Sequence, residues 1–399
     1  MSARDPRRPF PAGVDVPVGV WLPAPGKLPR PVETALRRLA RVGDVARMAV
    51  MPDVHLAEDV CVGVCLATRR RIYPAAVGSD IGCGMAALAF DAPADLLSDG
   101  PAAERLLEAV QRAVPTNRHP PASVPATLPA ALSEAALPPL SDPRLISLSR
   151  RDGRVQFATL GRGNHFLEFQ REESGDRPGR LWAMVHSGSR AMGPAVTAHH
   201  AASAPRDEAT GLAWLDADSP AGRAYLADVE WCRRYADLGR REMLSAVERA
   251  MADLFGVAAD PATLIACDHN HVSAESHLGE RLWVHRKGVL PAGEGRPGVI
   301  PGSMGSASYH VVGRGEPSSL DGCSHGAGRA MSRAEAAGRI TVGDLRRRMG
   351  SVRFDPRLAD RLREEAPSAY KDIDAVMRAQ SALTRIVRRL RPLLVHKGT

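Results

Sequence analysis

Hydrophobic and polar positions along the chain fall into two periodicities. Apolar residues recur at helical spacing over residues 31 to 42 and 101 to 114, where Leu106, Leu107 and Val110 share a face, and again over the much longer stretch 220 to 254. Short apolar runs at 46 to 51, 60 to 67, 85 to 90, 155 to 160, 164 to 169, 181 to 186, 263 to 267, 281 to 286 and 308 to 313 predict strands. The last 65 residues read as mainly helical until the terminal "LLVHKGT". Strands and helices do not alternate regularly and no GxGxxG opens a helix. The prediction is a mixed α+β fold rather than a doubly wound sheet. There is no internal repeat, and the Pro- and Ala-rich segment 120 to 143 reads as a surface insertion.

Composition narrows the class. A 399-residue chain with 44% hydrophobic and 25% charged residues can bury a sizeable globular core. The net charge of +8 rests on arginine, because only Lys27, Lys287, Lys371 and Lys397 among the 53 basic residues are lysines. Guanidinium forks match phosphate oxygens, so a nucleic-acid partner is compatible with this charge, as is simple compositional drift. Six cysteines at irregular spacing are too few for a disulfide framework in a chain of this length, which favours a reducing compartment. Cys61 and Cys65 of "CVGVC" sit in an apolar run and read as core residues. Asp15 and Pro17 interrupt the N-terminal apolar stretch, and no later run reaches the ~18 residues of a membrane span; the expected location is the cytoplasm.

Several strand-like runs end in polar, metal-capable side chains. "LWAMVH" finishes at His186, "ATLIACD" runs into His269 and Asn270, and "GRGNHFLEF" places Asn164, His165 and Glu168 after a flexible turn. "VGSDIGCGM" adds Asp80 and Cys83 in a glycine-rich segment where backbone and ligand can approach closely. One such histidine would read as an ordinary core residue. The set Asp80, Cys83, His165, His186 and His269 offers a carboxylate, a thiolate and three imidazoles, which suits Mn, Zn or Fe. Asp80 or Cys83 is suited to bridge a pair of ions, whereas a zinc ribbon is excluded because no paired CxxC is present.

A second constellation joins "IPGSMGSASY" (300 to 309) to "GCSHGAGRAMSR" (322 to 333). Small residues free backbone N–H groups to line a phosphate, and Arg329 can neutralise its charge. His325, between Ser324 and Gly326, has the chemistry of a ligand, a general base or a nucleophile toward phosphorus.

These motifs, with "MPDVH" (51 to 55), "HSGSR" (186 to 190), "VHRKG" (284 to 288), the pattern of His269, Asn270, Glu275 and His277, and the terminal Lys397, occur in an order that resembles the RtcB family of GTP-dependent RNA ligases. The resemblance covers nearly the whole chain. It implies one large catalytic domain over 1–399, with mixed sheets flanked by helices, and an enzyme that joins RNA 2′,3′-cyclic phosphate or 3′-phosphate ends to 5′-hydroxyl ends using GTP and Mn²⁺.

By the same resemblance, Asp80, Cys83, His165, His186 and His269 correspond to the ligands of two Mn²⁺ ions, and His325 to the nucleophile that becomes covalently attached to GMP. Asn164, Glu168, Ser303, Ser308, Gly326, Arg329 and Lys397 correspond to residues around the GMP, and Asp53 and Arg329 to residues supporting catalysis. Gly239, before Arg240, departs from the family pattern, in which an asparagine precedes the arginine. A metal-dependent phosphoesterase or nuclease using the same cluster to activate water is the alternative reading.

Overall fold

A computed structural model describes residues 16–124 and 137–398. Two β-sheets stack face to face, with helices on the outside of each, which makes the fold α+β. The larger sheet has seven strands in the order Pro297–Ile300, Ser308–Gly313, Thr384–Lys397, Phe166–Ser174, Arg180–Ser187, Gly84–Pro93 and Ala259–Asp268, each antiparallel to its neighbours. The smaller has five: Val18–Val20, Val45–His55, Val62–Thr68, Glu280–Lys287 and Asn270–His277.

The period of two along a strand explains the layering. In Gly84–Pro93, Ala86, Leu88 and Phe90 face a core shared with the long helix Pro220–Phe255 and the helix Gly100–Ala113, while Met85, Ala87 and Ala89 face the smaller sheet through Ala49, Met51, Cys65 and Val284. Both faces are covered, so the strands read as continuous apolar runs. On the far side of the smaller sheet, Val32, Leu36 and Leu39 of the helix Arg30–Leu39 pack on Met48 and Val50. The long helix starts at the Ser219 cap, whose hydroxyl accepts from Gly222 N–H, with Pro220 in its first turn, and stops at Gly256 in the left-handed conformation. No helix among the described residues is long and apolar enough to cross a membrane.

Two sequence expectations fail. Residues 155 to 160 are not a strand: a π-helical turn and a short helix run through Ser149–Gln156, and Ala158 takes a φ of 53°. Phe157 and Leu160 are nevertheless buried, so their apolar character reflects insertion into the core from an irregular segment. The C-terminal region is less helical than expected. After the helices Arg333–Arg339, Val342–Met349 and Ile373–Ala379, the 14-residue strand Thr384–Lys397 begins well before "LLVHK". It resembles a polar helix in sequence because it carries arginines, among them Arg388, Arg389 and Arg391, whose heads reach Glu173 and Asp176. In the segment 120 to 143, residues 125 to 136 lie outside the described residues, and the chain is back in the core at Leu137 and Leu140. Cys61 and Cys65 are buried and unbridged.

Candidate functional site

Adjacent antiparallel strands alternate direction, so the C-terminus of one lies beside the N-terminus of the next. At one end of the larger sheet this rule collects Lys397, opposite Phe166; Phe166, opposite His186; His186, opposite Met85; and Gly84, opposite Asp268. His165, Cys83 and His269 each sit one residue beyond a strand end in this row. Residues far apart in sequence thereby meet on one rigid edge.

Cys83 Sγ lies 3.2 Å from His186 Nε2 and 3.4 Å from His165 Nε2, and the donor atoms of the three residues are all within 4.8 Å of one another. Asp80 Oδ2 is 2.9 Å from His165 Nε2. The His269 ring packs on that of His186, with centroids 5.3 Å apart, and on that of His325, at 4.7 Å. His325 does not face away from the cluster; it adjoins it.

The surrounding backbone is tightly held. Arg240, buried in the long helix, donates from Nη1 to the carbonyls of Gly82 and Ser187, both at 2.8 Å, which fixes the Cys83 turn to the strand bearing His186. Asn270 donates from Nδ2 to Asp80 O and accepts from Gly288 N–H, joining the Asp80 turn to the loop under His325. Gly188 is required by close approach, since a Cβ there would lie 2.1 Å from Asp80 Oδ1. Gly288, at a φ of 63°, leaves room for His325: a Cβ would stand 3.0 Å from its Cε1 and 2.2 Å from a Val62 methyl.

The donor set fits a transition-metal ion. His186 Nδ1 donates to Asn164 O at 3.0 Å, which leaves Nε2 beside the sulfur with its lone pair available to an ion. Burial pushes the imidazoles of His186 and His269 well below the usual histidine range, so both carry a free lone pair at neutral pH. Burial favours the neutral acid at Asp80, but the adjoining His165 outweighs it and holds the carboxyl down to about 2. Burial and then the Asp80 charge push the Cys83 thiol well above its usual range; a cation lodged among these groups would reverse that field and favour thiolate.

His325 donates from Nδ1 to Asp53 Oδ2 at 2.7 Å, and its backbone N–H reaches the same oxygen at 3.2 Å. Asp80, Cys83, His186 and His269 line a cleft of about 1080 Å³ with His325, together with Asn164, Glu168, Ser303, Ser308, Gly326, Arg329 and Lys397. Glu168 is buried, accepts from Gln170 Nε2 at 2.6 Å, and is pushed up to about 8 by burial. Ser303 Oγ lies 2.8 Å from Ser306 Oγ.

Arg329 and Lys397 converge on a residue that the sequence did not single out. Glu365, almost fully buried, takes Lys397 Nζ at 3.1 Å, Arg329 Nη1 at 3.1 Å and Arg333 Nε at 3.1 Å, and the Tyr370 hydroxyl donates to it as well. Glu365, Tyr370 and Lys371 lie in "EEAPSAYKD", which has no ligand spacing or phosphate-loop pattern to mark it. Glu275 and His277, quoted in the sequence motif, form instead a buried polar cluster with Arg286 on the smaller sheet, where Arg286 Nη2 meets Glu275 Oε2 at 2.7 Å.

Comparison with known proteins identifies the family. The family model described as tRNA-splicing ligase RtcB matches residues 35–137 and 134–398. The chain is 38% identical over 381 residues to the RNA-splicing ligase RtcB of Escherichia coli K12, covering 88% of this chain and 90% of the relative. It is 35% identical over 291 residues to the RNA-splicing ligase RtcB of Mycobacterium tuberculosis, covering 62% and 66%. A family match over most of the chain, from residue 35 to 398, together with 38% identity over 88% of its length to one of these ligases, places this chain in the RtcB family.

Proposed function

We propose that the chain is a GTP- and Mn²⁺-dependent RNA ligase, acting in the cytoplasm as one catalytic unit, that joins RNA 2′,3′-cyclic phosphate or 3′-phosphate ends to 5′-hydroxyl ends. The placement of His325 carries the reading. Its Nδ1–H is committed to Asp53 at 2.7 Å and its ring adjoins His269, so Nε2 keeps its lone pair at the edge of the metal-type cluster. The similarity to RNA-splicing ligases over 88% of the chain supports the substrate class.

In the first step His325 Nε2 bonds to the α-phosphorus of GTP, the α–β phosphoanhydride P–O bond breaks, and pyrophosphate leaves with the electron pair. The imidazole gains positive charge as the N–P bond forms, and the buried Asp53 carboxylate offsets it. Mn²⁺ held by Asp80, Cys83, His165, His186 and His269 would supply Lewis-acid stabilisation of phosphate charge. Water opens a 2′,3′-cyclic phosphate to the 3′-phosphate, whose oxygen then attacks the phosphorus on His325, breaking the N–P bond and freeing the histidine. The 5′-hydroxyl of the second RNA attacks that 3′-phosphate and expels GMP, leaving a 3′,5′-phosphodiester. Asn164, Ser303, Ser308, Gly326, Arg329 and Lys397 surround the GMP. Glu168 accepts from guanine N1–H and the 2-amino group; adenine has an acceptor at N1 and no 2-amino group.

The test is incubation with GTP radiolabelled at the α-phosphate and Mn²⁺. Acid-labile, base-stable label on the protein, absent in His325→Ala, is expected. A protein that hydrolyses phosphoesters with the same cluster yet never takes label would be a phosphoesterase or nuclease, and this reading would fall.

A further inference from the structure

All four lysines of the chain line the cleft, beside only two arginines among its described lining residues, Arg329 and Arg333. A chain that uses arginine almost everywhere else keeps the compact ammonium here, where it is not interchangeable with a planar guanidinium. Lys397 pairs with Glu365, and Lys287 reaches the Glu58 carbonyl at 3.4 Å on another wall. Lys371 faces the strand that carries Asp53.

Its ammonium donates to the carbonyls of Pro52, at 3.2 Å, and Val54, the two residues that flank Asp53. Its own N–H donates to Gly328 O at 2.9 Å, in the loop that carries His325. Gly328 packs so closely on the same strand that a Cβ would stand 2.1 Å from the Asp53 carbonyl oxygen. Lys371 thus ties the strand of Asp53 to the loop of His325 from both sides.

Asp53 needs this support. It has no solvent exposure, Oδ2 takes both contacts from His325, and Oδ1 has no hydrogen-bond partner among the described residues. A buried carboxylate with one bare oxygen persists only where nearby positive charge compensates it. Burial works against the ionised form of Asp53, but His325 and Lys371 outweigh it.

We propose that Lys371 is a positioning residue for attachment of GMP to His325: it holds the backbone on both sides of Asp53 and the charge of its carboxylate, so that Asp53 fixes the His325 ring with Nε2 free. Lys371 acts through Asp53 and not on the reacting atoms, and the proposal rests on His325 being the nucleophile.

The experiment uses the full chain with Mn²⁺, in wild-type, Lys371→Met and Lys371→Arg forms, and compares two reactions. One is single-turnover labelling of His325 by GTP. The other is sealing of an RNA whose 3′-phosphate already carries GMP, which requires the cluster but not attack by His325. Lys371→Met is expected to slow labelling roughly 10- to 100-fold, the scale of a misplaced attacking group, at unchanged half-saturating GTP. It should seal the pre-activated RNA at nearly the wild-type rate, and Lys371→Arg should recover part of the labelling. A Met variant that labels at the wild-type rate, or that loses both reactions equally, overturns the proposal. If circular dichroism finds the Met variant unfolded, Lys371→Arg decides alone: a loss confined to labelling supports the role, and a wild-type rate or an equal loss of both reactions overturns it. Wild-type protein that takes no label sinks the reading of His325, whereas labelling indifferent to Lys371 sinks only the positioning role.

Discussion

His325 and Asp53, 272 residues apart in sequence, are joined by a 2.7 Å hydrogen bond from imidazole Nδ1 to a carboxylate that solvent does not reach. The bond selects the tautomer and orients the ring, and in low dielectric the carboxylate's charge acts at close to full strength. An amide at 53 preserves an acceptor but removes the charge. Asp53→Asn is expected to slow labelling of His325 by roughly 100-fold while GTP still binds, measured by single-turnover kinetics beside equilibrium binding.

Cys83 stands between two imidazoles with its sulfur within 3.4 Å of both. Replacing it by serine exchanges a soft donor for a weak hard one at the centre of the cluster. Wild-type protein should retain Mn²⁺ through gel filtration and melt at higher temperature as Mn²⁺ is added; Cys83→Ser should do neither, by elemental analysis and thermal denaturation. Equal metal content in the two would remove Cys83 from the ligand set.

Burial raises Glu168 to about 8, against an unfolded value of 4.5, with Gln170 and Lys397 acting in the opposite direction. Between those limits the folded chain holds a proton that the unfolded chain has released. The stabilisation from Glu168 is therefore complete below about pH 4.5 and is lost as pH rises to about 8, at up to ~1.4 kcal/mol per pH unit. Guanine donors require the ionised carboxylate, so GTP affinity should rise up to about tenfold per pH unit below 8 and level off above it. Calorimetric titrations across pH 6 to 9 check the slope, and Glu168→Gln should flatten it.

Glu365 neutralises three cations, of which Lys397 is nearly as buried as the carboxylate itself. Glu365→Gln leaves Lys397 without its counter-charge, and urea denaturation should record a loss of about 3 kcal/mol, the scale of breaking a buried pair from one side. Added GTP should recover part of that loss, because its phosphates supply the missing negative charge.

The strands that read clearly from sequence are those buried on both faces, such as Gly84–Pro93 and Arg180–Ser187, whose central positions, 85 to 90 and 181 to 185, are all apolar. The helices Arg30–Leu39 and Pro220–Phe255, whose apolar residues recur at helical spacing, read equally well. Thr384–Lys397 was obscured because it leaves arginines half in water along a sheet, a pattern that local periodicity assigns to a helix. Glu365 and Lys371 were invisible for a different reason: their roles depend on partners up to 319 residues distant, and a lone Glu or Lys in a polar segment carries no spacing to betray it.

Sequence alone therefore determined the α+β class, the inventory of donors and the motif order that resembles RtcB, because those depend on residue identity and short-range pattern. Only the tertiary structure decided that Cys83, His165, His186 and His269 share one sheet edge with Lys397, and that His325 leans on Asp53 there. The alternating direction of antiparallel strands determines which termini become neighbours, and that pairing is a property of the assembled sheet, not of any single segment.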